Sequence, residues 1–345
     1  MQILQDAKAL VQAHYQAIEN ATSATVEAVL RQRMSPMAVW RGVHPFNTLT
    51  GPQEICQEFW GPLMSAMGHL QRREDIFFAG QSDLAAPRGV WTLSMGHLMG
   101  LFDRGFLGIP PTQKIAMLRY AEFNRVENGQ IVETAFFCDL MHLMAQAGIQ
   151  PFPMQTGIHL VQPGPRTHDG LLYTAHPPEE GAKTLHLIEE MIGTIDDANA
   201  QPAARTPREE LKQTWSDKMI WWGPEGIGAT YTIDRYIEQH QGPFRRHMRD
   251  RIFNGHLCRM AEGSYGAFFG WPNLSVVNHD GFMGLPPGEI RADMRVVDVY
   301  RRAGDRLVEN WIFIDMLHFL KMQGVDVLEN LPSTPQRNLA LARHV

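Results

Sequence analysis

Two carboxylates close apolar runs. Asp139 ends AFFCD and Asp315 ends IFID, and a histidine follows each three residues on, His142 and His318. Bare charge is costly to bury, so such a carboxylate must be paired, hydrogen-bonded or neutral. In an apolar pocket its pKa would rise. It could then remove a proton flanked by carbonyls and return it to a new alkoxide. The same position also suits a helix N-cap, because Leu140 onward reads as helical. Each D-x-x-H pair would share one helical face, where the histidine could orient the carboxylate or contact a ligand. A metal would need a third and usually a fourth ligand, and no HxH or HExxH is present, so neither metal nor cofactor is expected. His97, in WTLSMGHLMG, could donate to a developing enolate oxygen, and His44, in WRGVHPFN, reads as a loop residue near a pocket mouth. Trp40, Trp91, Tyr120, Phe137 and Trp222 could stack on a flat conjugated ligand, or simply fill a core.

Glu122 and its counterpart Asp298 alternate along a strand with Arg119 and Arg295, so carboxylates and arginines face opposite sides of a sheet. Glu122 shares parity with Tyr120 and is a second carboxylate within reach of a cavity. Arg119 belongs between sheets. No GxxxxGK[ST], GxSxG or strand-following GxGxxG occurs, and three scattered cysteines (Cys56, Cys138, Cys258) form no CxxC.

The elements that must position these residues come in two copies. Residues 105–149 align without a gap on 281–325, at an offset of 176, sharing Gly105/Gly281, Pro110/Pro286, Arg119/Arg295, Glu133/Glu309 and Asp139/Asp315. Upstream, Trp40 aligns with Trp222 and Gly61-Pro62 with Gly242-Pro243, the offset drifting to about 181. The period is too long for a solenoid, so each copy is a domain. Apolar spacing predicts a first helix over 3–19 and its counterpart over 180–196. Short helices follow, with Thr206-Pro207 opening one. Strands are predicted over 72–80, 88–100, 114–126 and 131–139. This order implies an α+β fold, a mostly antiparallel sheet packed against helices. The expected domains span 1–150 and 179–330, with a proline-rich connection at 151–178 and a tail at 331–345.

The chain of 345 residues carries a formal charge of -6, with 44% apolar and 20% charged residues. That suits two soluble globular domains and excludes a strongly basic nucleic-acid binder. No membrane-length apolar run and no signal-like start is present, so no membrane partner and a cytoplasmic location are expected.

The GIPPT loop (Gly108–Thr112), the strand pair RVENGQIVE, and the ending Glu133…Asp139…Gly148, repeated as Glu309…Asp315…Gly324, carry a resemblance. Over roughly 3–149 and 180–325, each half resembles the SnoaL-like polyketide cyclases. They belong to the cone-shaped α+β superfamily that also holds nuclear transport factor two, ketosteroid isomerase and scytalone dehydratase. The resemblance implies two cones paired as an intramolecular pseudo-dimer, with a homodimer as the alternative. It implies cofactor-free aldol cyclisation, isomerisation or dehydration of a small, apolar, carbonyl-containing substrate. Asp139 and Asp315 then match the family's acid/base aspartate, and His97 its pocket histidine. Asn273 stands opposite His97 in the second copy, so the first half is the expected active one. The competing expectation is a non-catalytic tandem domain that binds a small molecule or a protein.

Overall fold

The computed structural model describes residues 1–87, 89–150, 162–200, 205–282 and 284–331, with the backbone alone at 196–200. The expected tail lies outside them from 332 on, and the expected connection up to 161. In the first domain the helix Gln2–Glu19 buries Ala7, Val11, Tyr15 and Ile18 at helical spacing. It lies on a six-stranded sheet built from β1 (Met34–Gly42), β2 (Thr48–Thr50), β3 (Met67–Gln81), β4 (Val90–Phe102), β5 (Ile115–Glu127) and β6 (Gln130–Cys138). The strand order is β2-β1-β6-β5-β4-β3, and only the β1–β6 pairing is parallel.

The second domain repeats this plan with β7 (Trp215–Trp222), β8 (Ala229–Tyr231), β9 (Met248–Phe253), β10 (Cys258–Glu262), β11 (Tyr265–Asn278), β12 (Arg291–Ala303) and β13 (Arg306–Ile314). The order is β10-β11-β12-β13-β7-β8, with β9 also paired to β11, and β7–β13 is the parallel pair. The helix Pro178–Ala200 covers this sheet, and Thr206 with Glu209 forms a reciprocal capping box at the start of the next helix. These are the two α+β cones expected from the repeat.

The sheets pack against each other through their outer faces. Phe269 on β11 meets Trp91, Phe123 and Phe137, with ring centroids 5.5, 4.9 and 6.4 Å apart, and Trp271 meets Phe137 at 5.6 Å. The Arg119 guanidinium lies 3.9 Å from the Phe313 ring centre and that of Arg295 lies 4.0 Å from Trp271, so Arg119 is between the sheets as expected.

Reciprocal contacts fix the pairing. The Asp139 carboxylate accepts from the Glu225 amide at 2.8 Å, and Asp315 accepts from the His44 amide at 2.9 Å. Glu225 and His44 are counterparts at the upstream offset, and the two aspartates are counterparts at the downstream one. Residue i of one half meets j of the other, and j meets i. That self-complementarity defines a two-fold interface, here within one chain. The described part of the connection ties both halves together. Gly170 and Leu172 pair with Phe77 of β3, while Pro163 O accepts from the Trp311 indole at 2.9 Å.

Candidate functional site

In a strand, successive side chains point to opposite faces, and directly paired residues share a face. The register therefore sorts the candidates. On β5 and β6 the pairs Glu122↔Phe136 and Asn124↔Thr134 share one face, and Thr134 pairs with Trp40 of β1. On β12, β13 and β7 the same face carries Asp298↔Ile312, Tyr300↔Asn310 and Asn310↔Trp221. These are the inner faces, turned toward each domain's own helices.

The register corrects one alignment. Trp40 corresponds to Trp221, not Trp222. Both begin a W-x-G triplet in which the indole folds back over the glycine: a Cβ on Gly42 would sit 2.1 Å from Trp40, and one on Gly223 2.0 Å from Trp221. A one-residue slip moves a side chain to the opposite face. Trp222 is accordingly on the outer face, where its carbonyl accepts from Arg119 at 3.2 Å.

Both domains then place a π-helical turn over the inner face, Cys56–Trp60 and Ile237–Gln241, each followed by Gly-Pro. In the first domain this turn delivers Phe59 and Trp60. They pack with Trp40, Phe136 and Tyr120 into one aromatic cluster whose neighbouring centroids lie 4.8–5.9 Å apart. Beside it the Arg72 guanidinium sits between the Tyr15 and Tyr120 rings, 3.7 and 4.6 Å from their centres, and pairs with Glu122 at 2.8 Å. Tyr120 also bonds Ser94 at 2.7 Å, and burial holds its phenol above the ordinary range. In this part of the first cone the aromatic cluster takes up the space under the π-helical turn.

In the second domain the same three positions carry His240, Gln241 and Ile312. A cavity of about 250 Å³ opens there, lined among others by Trp221, Tyr236, His240, Asp298, Tyr300 and Asn310. Asp298 is buried in the run VVDVY and accepts from the Asn310 amide at 3.0 Å. Burial raises its pKa from 3.8 to about 7, with the hydrogen bonds from Asn310 and Tyr300 opposing. Burial, with Asp298 close by, pushes the Tyr300 phenol well up, and Tyr236 likewise. The His240 ring stacks on Trp221 at 3.9 Å, and burial lowers its pKa to about 3, leaving it neutral. His256 stacks on Phe268 at 4.0 Å with its pKa lowered to about 4, chiefly by burial. The buried Glu210 in the wall is balanced by a bidentate pair with Arg245 at 2.6 and 2.9 Å.

The sequence-based candidates fall elsewhere. Asp139 and Asp315 accept from the amides of His142 and His318, at 3.0 and 3.1 Å, and so cap the helices that follow. Their remaining oxygens take the cross-domain amides, and Arg295 adds a 3.1 Å bond to Asp315. Burial still raises the Asp315 pKa, against Arg295 and those amides. Neither aspartate lines the cavity. Each is consumed in holding the halves together. His44 and His318 lie beside Arg295 in this clamp, and burial lowers both pKa values, that of His318 to about 4. His142 sits in the helix behind Asp139, its Nδ1 3.3 Å from the Gln146 amide. Trp91 and Phe137 belong to the sheet–sheet contact. His97 pairs with Arg119 across β4–β5, on the outer face, with Nδ1 3.6 Å from Asp75. Trp40 and Tyr120 do face inward, but into the aromatic cluster of the first cone.

The expectation was for a site in the first half, whereas this cavity lies in the second. Asp298 was legible as a carboxylate on the Glu122 parity. His240 was missed, although the Gly-Pro match places it opposite Phe59. Among the described residues, no group of three or more His, Cys, Asp or Glu is placed to hold a metal ion, and no helix is long and apolar enough to cross a membrane.

No protein-family model and no curated protein matches the chain. Solved structures similar to it include SnoaL-like polyketide cyclases and NTF2-like proteins. A proposed SnoaL-like polyketide cyclase from Jannaschia sp. CCS1 is 17% identical, covers 44% of this chain and 97% of its own, and has a TM-score of 0.34. A proposed hydroxylase from Streptomyces galilaeus is 20% identical over 47% of this chain and 90% of its own, with a TM-score of 0.31. An NTF2-like protein from Burkholderia xenovorans is 9% identical, covers 41% and 96%, and has a TM-score of 0.32.

Proposed function

We propose that the second domain is a cofactor-free acid/base enzyme acting on a small carbonyl compound, with Asp298 as its general base. The observation that carries this reading is a buried carboxylate with a pKa near 7 in the wall of a cavity. A base is most useful when its pKa lies near the working pH, and apolar surroundings are how a carboxylate reaches that range. The ionised Asp298 takes a proton from the carbon beside a carbonyl, and the C–H electron pair becomes an enolate. The protonated carboxyl then returns its proton to another carbon, which isomerises the substrate. If the enolate has attacked a second carbonyl, the proton goes to the new alkoxide and closes an aldol. Tyr300 donates its phenol proton to Asp298 and holds the carboxylate in place, and Tyr236, whose phenol stays protonated, is the hydrogen-bond donor near the enolate oxygen. The first domain acts as the scaffold that closes the outer face of the second sheet.

Deuterium exchange tests the base without knowledge of the product. Incorporation at the α-carbons of 2-cyclohexenone and 1-tetralone in D2O is followed by proton NMR. The wild-type protein should accelerate exchange and Asp298→Asn should lose at least about 100-fold of that acceleration, while Asp139→Asn keeps it. No acceleration by the wild type, or an Asp298→Asn protein as fast as wild type, would overturn the assignment.

A further inference from the structure

Resting on that reading, we infer that His240 and Gln241 select the substrate, and that it is an uncharged hydroxy-ketone of one ring or two fused rings. Four observations meet in this class. The first is size. A cavity of about 150 Å³ is filled by a benzene-sized molecule, so about 250 Å³ suits one substituted ring or two fused rings. The second is charge. Glu210 is neutralised by Arg245, and His240 and His256 are kept uncharged by burial, so apart from Asp298, which the reaction itself uses, these cavity groups offer no unbalanced partner for an ionic group on the ligand.

The third is hydrogen bonding. His240 Nδ1 and Gln241 Oε1 are buried and have no hydrogen-bond partner among the described residues, and both side chains line the cavity. Such groups normally find partners, so a ligand is the partner that this space leaves room for. An amide oxygen needs a donor, which a hydroxyl supplies. A neutral imidazole can donate to a carbonyl or enolate oxygen, the role that a histidine of depressed pKa fills best. The fourth is the internal control. Phe59 and Trp60 occupy the same positions of the π-helical turn in the first cone, where rings stand in place of these two polar side chains. The rings of Trp221 and Tyr236 beside His240 add flat, apolar walls.

Calorimetric binding of three neutral probes separates this inference from the catalytic one: 6-hydroxy-1-tetralone, 1-tetralone without the hydroxyl, and the tricyclic 1,8-dihydroxyanthrone. Wild type and Asp298→Asn should both prefer hydroxytetralone over tetralone by about tenfold, and neither should bind the tricycle. Gln241→Leu should erase the preference for the hydroxyl. His240→Phe installs the residue that the first domain already carries in this turn, and should weaken both tetralones about tenfold. Thermal melts check that each variant is folded, and His240→Asn replaces His240→Phe if it is not. The inference falls if the wild type binds none of the probes, if the tricycle binds as well as the tetralones, or if Gln241→Leu and the His240 variant bind hydroxytetralone like wild type. No acceleration of deuterium exchange by the wild type, with probe binding intact, would sink the base assignment alone.

Discussion

The two cones of this chain share strand order, register, π-helical turn and W-x-G corner, yet under that turn one packs an aromatic cluster and the other opens a cavity. Three exchanges make the difference: Phe59 for His240, Trp60 for Gln241 and Phe136 for Ile312. Each replaces ring volume by something smaller, and two add a polar group. The carboxylate on the inner face is present in both. In the first domain Glu122 is neutralised by Arg72, a charge held between two tyrosines. In the second no arginine takes that place among the groups acting on Asp298. Burial therefore acts on it with only Asn310 and Tyr300 in opposition. The comparison teaches that fold and even strand register can be kept while a handful of side chains decides between core and pocket.

The sharpest way to break the comparison is to neutralise both carboxylates separately. Asp298→Asn should cost 10²- to 10⁴-fold in turnover, on the order of general-base catalysis, whereas Glu122→Gln should leave the exchange rate within about threefold. Equal losses from the two variants would mean that the domains are not divided as described. Stability should show the reverse. Glu122→Gln leaves Arg72 buried without its partner and should destabilise by about 3–5 kcal/mol in urea melts.

The pH dependence of Asp298 sharpens the contrast. Its folded pKa is raised above the unfolded value, so its contribution to stability is fully present below about pH 4 and is lost as pH rises through about 7. Asp298→Asn should match wild type near pH 4 and exceed it by on the order of 3 kcal/mol above pH 8. Turnover should move the other way, rising with pH through about 7 as the base ionises. A flat stability difference from pH 4 to 8 would argue against a perturbed carboxyl.

The smallest effects on turnover are expected at the aspartates that the motif makes most conspicuous. Asp139→Ala removes a helix cap and should cost about 1–2 kcal/mol, and Asp315→Ala should cost more because it also takes the partner from Arg295. Turnover by Asp139→Asn should stay near wild type. A large loss of turnover without loss of stability would return Asp139 to the chemistry.

Much of the architecture could be read directly. The gapless repeat, the helical spacing of Val11, Tyr15 and Ile18, and the alternating strands anticipated each helix and strand to within a few residues, because periodicity reflects one-sided burial. The alternation of Arg119 with Glu122 correctly separated outer from inner face. Trp222 was misassigned because two adjacent tryptophans differ only by a face, which the downstream glycine in W-x-G would have decided. Asp139 and Asp315 stayed open between two roles because a carboxylate that ends a buried strand has the same sequence whether it caps a helix or carries a proton.

The sequence by itself determined the two domains, their inner and outer faces and the pairs of residues that duplication makes equivalent. These properties follow from local periodicity and self-similarity. Only the tertiary structure decided which equivalent pairs do the same work. Whether Asp139 meets a ligand or the Glu225 amide, and whether a turn delivers Phe59 into a core or His240 into a cavity, depends on what arrives from 86 residues away or from the facing sheet. Burial and hydrogen bonding are set by those non-local neighbours, and with them the charge state of every candidate group.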